Sequence, residues 1–313
     1  MIVKMFKVIV KQCINWLLQY LLKQRPLYIH NFAKSLETHD AGLETGFKYA
    51  LKNASDTSNF HVLFNGKCVT VPAQTLLTMM HCTTLGESTI VCYVEEKHFM
   101  WLFKQVKNIE TPTLFIDVGA ASGAAIMTLA PRLSNLRVIA FEPSRKARAL
   151  LERMLSANGY SSVEIYPFAV SDVVSEVPFV EYGLIDEAPS YRPETSSLFV
   201  PIEIPPDAET YRVKCVTLDS LVEISPLYIS DNENILVKID VEGFECHVLR
   251  GARKLIAMHR PFLAIDIHCQ PENSAETTLE ECSSLLTQMD YSLRIMDHVL
   301  LAKPNLCNSR TVK

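Results

Sequence analysis

The sequence predicts a doubly wound α/β domain that carries an antiparallel insertion and is preceded by an N-terminal cap. Three observations predict it. From Thr113 onward, short apolar runs alternate with helical patterns, which is the signature of a parallel sheet covered on both faces. Several runs end at an acidic residue or lead into glycines, as do strand tips that open onto a ligand crevice. One proline-dense stretch, Val177 to Val216, breaks the alternation and reads as strands without helices.

In chain order, residues 1–24 come first. Lys4, Lys7, Lys11, Asn15, Gln19 and Lys23 recur every three or four positions among Val, Ile, Leu, Trp and Phe, an amphipathic helical pattern. The charges interrupt the apolar run too often for a bilayer span of ~20 residues, and no small-residue cleavage site follows. Three readings stay open: a helix packed on its own domain, peripheral membrane contact through residues 4–23, and a signal anchor. Residues 25–110 form a cap of mixed structure. Asn65-Gly66 inside a run of β formers from Phe60 to Val71 predicts a hairpin, and Glu95 to Lys107 predicts a helix.

Residues 111–313 form the main domain. Leu114–Ile116 is its first strand and stops at Asp117; a helix is expected over Ser122–Leu133. Leu136–Phe141 is the second strand and ends at Glu142-Pro143, followed by a helix from Ser144 that stops before Gly159. Val163–Phe168 is the third. Strands are expected at Val177–Tyr182, Ser197–Ile204 and Tyr211–Val216 in the insertion. Ile235–Ile239 is the fourth core strand, with a helix over Phe244–Met258, and Phe262–Ile267 is the fifth, with a helix over Ala275–Met289. Tyr291–Met296 and His298–Ala302 close the sheet through a very short turn, so the last strand is expected to be antiparallel.

Composition narrows the function. A net charge of −5 provides no basic field for a nucleic-acid backbone. The nine cysteines are odd in number, widely spaced and without a C-x-x-C pair, which argues for reduced, mostly buried thiols rather than a disulfide framework or a zinc site. A cytoplasmic setting follows as an expectation.

The chemistry gathers at the strand ends. Asp117-Val-Gly119-Ala-Ala121-Ser-Gly123 follows a strand and opens a helix. Its spacing is G-x-x-x-G, not the G-x-G-x-x-G of a pyrophosphate loop. Gly119 and Gly123 are expected to let the backbone approach a ligand closely. A ligand without phosphate but with a cationic centre and an amino-acid tail, such as S-adenosyl-L-methionine (SAM), suits backbone groups beside the Asp117 carboxylate; a plain β–α turn is the plainer alternative. Glu142 at the second strand tip is placed to accept hydrogen bonds from two ribose hydroxyls. Asp172, after the third strand, reads either as a partner of the adenine edge or as a turn cap. Lys238, Asp240 and Glu242 share one side of the fourth strand end, where like-facing charges are costly unless paired or catalytic. His268, at the fifth strand end, is expected to share the crevice with Asp240.

Taken in order, Asp117-Val-Gly-Ala-Ala-Ser-Gly123, Phe141-Glu-Pro143, Ala169-Val-Ser-Asp172, Thr217-Leu-Asp-Ser-Leu221, Lys238-Ile-Asp-Val-Glu-Gly243 and Leu249-Arg-Gly-Ala252 resemble the FkbM family of SAM-dependent methyltransferases. Ile267-His268 resembles the family's closing strand motif. The resemblance runs from Thr113 to His268. It implies a class I methyltransferase fold with seven strands, the last antiparallel, and O-methylation, often of sugar or polyketide hydroxyls. The family commonly carries Asn where this chain has Ala121.

The expected assignment follows. Asp117, Gly119, Ala121, Gly123, Glu142, Asp172 and Asp240 bind SAM. His268 is the first candidate base, and Asp240 is the second or orients it; Glu242 completes the catalytic set. No metal ligand is assigned, although an ion held by Asp240, Glu242 and His268 would equally acidify a hydroxyl. The acceptor is a small molecule or glycan, and nucleic acid is not expected as a partner. Two rival functions are a catalytically inactive SAM-binding or scaffold module and a nicotinamide-dependent oxidoreductase.

Overall fold

The computed structural model describes residues 59–64, 66–80, 97–181, 198, 208–220, 229, 233–268 and 274–305. The expectations for residues 4–23 and for a strand at Ser197–Ile204 lie outside these. Among the described residues no helix is long and apolar enough to cross a membrane.

The described part of the cap begins with a hairpin, β1 (Asn59–Phe64) and β2 (Lys67–Pro72), closed by Phe64 pairing Lys67 as the Asn-Gly signal predicts. Helices α1 (Ala73–Met80) and α2 (Lys97–Gln105) follow. This region does not stand apart: Phe60, Val62, Phe64, Val69, Val71, Leu76 and Leu102 belong to the same apolar core as Phe115, Ile126 and Leu151 of the main domain. Asn158 holds the hairpin to the domain by accepting from the Thr70 N–H at 2.8 Å and donating to the Thr70 carbonyl at 2.7 Å.

The main sheet has seven strands. They are β3 (Thr113–Val118), β4 (Leu136–Phe141), β5 (Glu164–Tyr166), β9 (Asn234–Ile239), β10 (Phe262–Asp266), β11 (Tyr291–Met296) and β12 (Val299–Pro304), in the spatial order β11-β12-β10-β9-β3-β4-β5. All pairs are parallel except those of β12, which runs antiparallel to both β10 and β11. The strand order reverses between β3 and β9, the position where open α/β sheets bind ligands. Side-chain alternation divides the core: Phe115 and Leu236 face the hairpin side, whereas Leu114, Ile116, Val237 and Ile239 face the other.

The helices are α3 (Ala124–Leu129), extended by a 3₁₀ turn over Ala130–Arg132, then α4 (Arg145–Ala157), α5 (Glu245–Arg250), α6 (Arg253–His259) and α7 (Ala275–Gln288). Ser144 and Ser274 cap α4 and α7, accepting from the N–H groups of Ala147 and Thr277. One long helix was expected over Phe244–Met258, but the chain breaks into α5 and α6. Gly251 lies against the segment after the third strand: a Cβ there would sit 2.0 Å from the Ser171 carbonyl oxygen.

The insertion also differs from expectation. Strands β7 (Ser175–Glu181) and β8 (Glu209–Val216) pair antiparallel, but the third member of the small sheet is β6 (Ala169–Val170), parallel to β8. The chain therefore leaves the main sheet after Tyr166 and enters the insertion at Ala169. The expected strand Val163–Phe168 is shortened to Glu164–Tyr166.

Candidate active site

The loop after β3 is shaped by contacts within the protein. Gly119 has φ +79°, and a Cβ there would lie 1.8 Å from the carbonyl oxygen of Asp240. The β9 tip thus makes a close approach that itself requires glycine. Gly123 has φ +92°, and its missing Cβ makes room for Cδ1 of Leu151 on α4. Ala121 has φ +46°, a left-handed conformation that costs roughly 1–2 kcal/mol for an ordinary side chain but is visited readily by Asn. The Asn common in the resembling family thus matches a backbone requirement.

Glu142 stands at the tip of β4, only 6% exposed. Its Oε2 accepts from the Ala121 N–H at 2.7 Å and its Oε1 from the Ser144 N–H at 2.8 Å. Ser144 in turn donates to Glu181 of β7 at 2.7 Å, and Glu181 also accepts from Tyr211 of β8 and the Lys146 N–H, each at 3.0 Å. The insertion is thereby fastened to the turn that carries Glu142. Asp172 is held by α5, with Oδ2 3.2 Å from His247 Nδ1 and 3.6 Å from Arg250. Burial pushes its carboxyl up, but the His247 contact outweighs this and holds it below the usual range.

Across the switch point the chemistry changes. Register places Asp117 and Lys238 directly opposite on β3 and β9. Asp117 is fully buried and sits 3.4 Å from Lys238 Nζ. Lys238 also lies 3.1 Å from Asp240 and donates to the Gly119 carbonyl. Asp117, expected to face the cofactor, instead supports the crevice through Lys238. Burial raises its carboxyl to about 6 against the pull of Lys238. Burial lowers the Lys238 ammonium, but Asp117 and Asp240 more than reverse this. Asp240, pushed up by burial, is carried below its ordinary value by Lys238 and then by His268.

His268 follows β10. Its Nδ1 donates to Glu245 Oε1 at 3.0 Å, and its Nε2 lies 3.8 Å from both Asp240 Oδ1 and Glu242 Oε1. Burial disfavours the imidazolium, but Glu245, Asp240, Glu242 and Asp266 outweigh it and raise the group to about 10. Glu242, at φ +53°, is raised to about 7 by burial and by Asp240, Asp266 and Glu245, with His268 opposing. From the cap, His98 on α2 is buried within electrostatic range of Asp266 and Asp240; burial dominates and lowers it to about 4.

A family model described as a methyltransferase FkbM domain matches residues 117–293, more than half of the 313-residue chain. The chain belongs to the FkbM methyltransferase family. Among solved structures, a methyltransferase FkbM from Methylobacillus flagellatus is 17% identical with a TM-score of 0.42; the match covers 82% of this chain and 57% of that one, little more than half its length. A SAM-dependent methyltransferase from Aquifex aeolicus is 10% identical with a TM-score of 0.38, covering 68% and 91% of the two chains. A SAM-dependent O-methyltransferase from Thermotoga maritima is 12% identical with a TM-score of 0.36, covering 68% and 67%. No curated protein matches.

Within this FkbM domain the residues singled out in the sequence converge in part. Gly119, Ala121, Glu142 and Asp240 form one continuous contact chain, and Asp240, Glu242 and His268 form a second around it. Gly123 and Asp172 serve packing and α5 contacts. Sequence reasoning assigned no site role to Glu245 or His98. Glu245 read only as a first-turn helix acid, and nothing in the linear pattern links it to His268. Asp240, Asp266 and His268 place one ligand-type atom each within 4.8 Å of one another, with Asp266 taking the place expected of Glu242. Both acids already face basic side chains, Lys238 on Asp240 and His298 on Asp266 at 3.4 Å.

Proposed function

We propose that this FkbM-family chain is a SAM-dependent O-methyltransferase acting on a hydroxyl of a small molecule or glycan. One observation carries the reading: the Gly119 loop touches the Asp240 carbonyl on one side, and through Ala121 it touches the Glu142 carboxylate on the other, so one crevice at the sheet switch point presents both. The donor set fits the cofactor. A carboxylate at the β4 tip suits ribose hydroxyls by its chemistry, and the acid-rich β9 end favours a sulfonium cation.

When bound, SAM supplies an electrophilic methyl group whose C–S bond breaks as the acceptor's C–O bond forms. The protein's own residues do the rest. Glu142 and the Gly119 loop would hold the cofactor in register; alignment of this kind is worth ~7 kcal/mol or more. Glu242, with its carboxyl near 7, takes the hydroxyl proton, a contribution of roughly 10²–10⁴-fold. His268, raised to about 10 by the surrounding acids, steadies the Glu242 and Asp240 carboxylates in this reading, and Glu242 takes the base role that the sequence suggested for His268.

The test is transfer of tritiated methyl from SAM to a panel of sugar and small-molecule hydroxyls, with SAM binding measured by calorimetry. Glu142→Ala is expected to weaken SAM binding, and Asp240→Asn to lower turnover at saturating SAM. If wild-type protein binds NADH and not SAM, the reading fails in favour of hydride transfer. If it binds SAM but methylates nothing across the panel, the inactive-module reading gains.

A further inference from the structure

We propose that Glu245 is a positioning residue, which sets the Glu242–His268 geometry from behind the crevice. The inference rests on the reading that Glu242 takes the acceptor hydroxyl proton and that His268 steadies it. Acids in the first turn of a helix usually sit in solvent, where the helix dipole favours them. Glu245 is the first residue of α5, yet its side chain is fully buried. An isolated buried carboxylate is expensive, so its placement needs a compensating partner. Oε1 provides two contacts: it accepts from the Gly243 N–H at 3.0 Å and from His268 Nδ1 at 3.0 Å. Oε2 is buried with no hydrogen-bond partner, so the imidazolium supplies the compensating charge.

Those two contacts reach both halves of the acid–histidine pair. Gly243 follows Glu242, and both have positive φ, at +107° and +53°, so the tight turn that aims Glu242 is tied at its base by the Glu245 carboxylate. The same oxygen occupies Nδ1 of His268, which leaves Nε2 as the nitrogen facing Asp240 and Glu242. The groups facing His268 are Asp240 and Glu242 from the turn after β9, Glu245 from α5 and Asp266 from the end of β10. Of these, Glu245 alone makes a hydrogen bond to the ring; the 3.8 Å separations at Nε2 are too long for one. A buried acid that orients a histidine through Nδ1 fixes where its other nitrogen points, a division of labour known from other enzymes.

The experiment compares Glu245→Gln, which keeps size and an acceptor oxygen but loses the charge, with Glu245→Ala, which loses both. Two readouts are taken on folded full-length protein. The first is the split between kcat and the KM for SAM. The second is the Nδ1–H proton resonance of His268 in histidine-labelled protein, assigned by its absence in His268→Asn. We expect Glu245→Ala to abolish the low-field Nδ1–H signal and Glu245→Gln to move it upfield. We expect kcat to fall at least 10-fold in both, and by no more than the roughly 10²–10⁴-fold that a positioned base contributes, while the KM for SAM changes less than twofold. If Glu245→Ala does not fold, the isosteric Glu245→Gln still decides. An unshifted signal and an unchanged kcat in a folded variant overturn the proposal. If the signal responds as expected but wild-type protein transfers no methyl group, Glu245 still positions His268 and the proposed function is what fails.

Discussion

The two halves of the sheet's carboxyl edge are built on different principles. On the β3–β4 side, the Glu142 carboxylate accepts from the backbone N–H groups of Ala121 and Ser144. On the β9–β10 side, Asp117, Asp240, Glu242, Glu245 and Asp266 crowd around Lys238 and His268, and every position depends on opposite charge nearby. The first half is suited to holding a ligand in one place over a range of conditions. The second is suited to moving a proton, because Glu242 and His268 sit far from their ordinary ionisation and respond to one another.

The largest effect that would break this contrast comes from Lys238, which is 4% exposed and bonded to Asp117, Asp240 and the Gly119 carbonyl. Replacing it by Met keeps the volume and leaves the buried Asp117 without its cation. Removing one partner of a buried pair costs about 3–5 kcal/mol. Urea unfolding near neutral pH is expected to register a loss of that size for Lys238→Met. A loss under about 1 kcal/mol would mean that the β9 side does not rest on charge pairing.

Gly119 lies on the seam between the halves. Gly119→Ala must accommodate a Cβ 1.8 Å from the Asp240 carbonyl oxygen at φ +79°, so backbone has to move. Such incompatible glycine replacements cost more than the ~1 kcal/mol of an ordinary one, here of order 2–3 kcal/mol. SAM binding is expected to weaken along with stability. Gly123→Ala meets only the end of a leucine side chain and is expected to cost less in the same urea series.

Rate against pH sharpens the comparison further. With Glu242 raised to about 7, the carboxylate form is lost below that value, so turnover at saturating SAM is expected to fall about tenfold per pH unit on the acid side. With His268 raised to about 10, its charge is lost above that value and a second limb is expected there. Stability runs one way. His268 lies above its ordinary 6.5, so the stability it contributes is complete below pH 6.5 and disappears as pH rises through about 10. Asp117 and Glu242 are raised too, and their contributions are complete below about pH 4 and fade as pH rises through about 6 and 7. A flat rate profile from pH 6 to 8 would remove Glu242 as the proton acceptor.

How much of this was legible in the sequence differs by region for physical reasons. The core strands follow from runs such as Leu114–Ile116 and Leu136–Phe141, because burial on both faces leaves a continuous apolar signal. Ser144 marked the start of α4 because capping is a local bond between near neighbours. The break at Gly251 was hidden, because it answers a contact with Ser171 far away in sequence. The same holds for the site. Glu142 and Asp240 were legible as strand tips, whereas Glu245 behind His268 depends on how α5 packs against β10. The protonation of His268 depends on four acids that meet only in the fold.

The smallest expected effect bears on the quieter half. Ala121 holds φ +46° while donating its N–H to Glu142. Nothing at that position needs the alanine side chain, and a left-handed conformation is cheaper for Asn. Ala121→Asn is therefore expected to stabilise the folded chain by about 1 kcal/mol in urea unfolding, with the Glu142 contact intact. Its effect on SAM affinity separates two roles for the position. An unchanged dissociation constant means the residue serves loop conformation alone, and the backbone-held half of the crevice is complete without it. A several-fold tighter one means that a side-chain amide there reaches the ligand, and the contrast between a backbone-built half and a side-chain-built half then has to be redrawn.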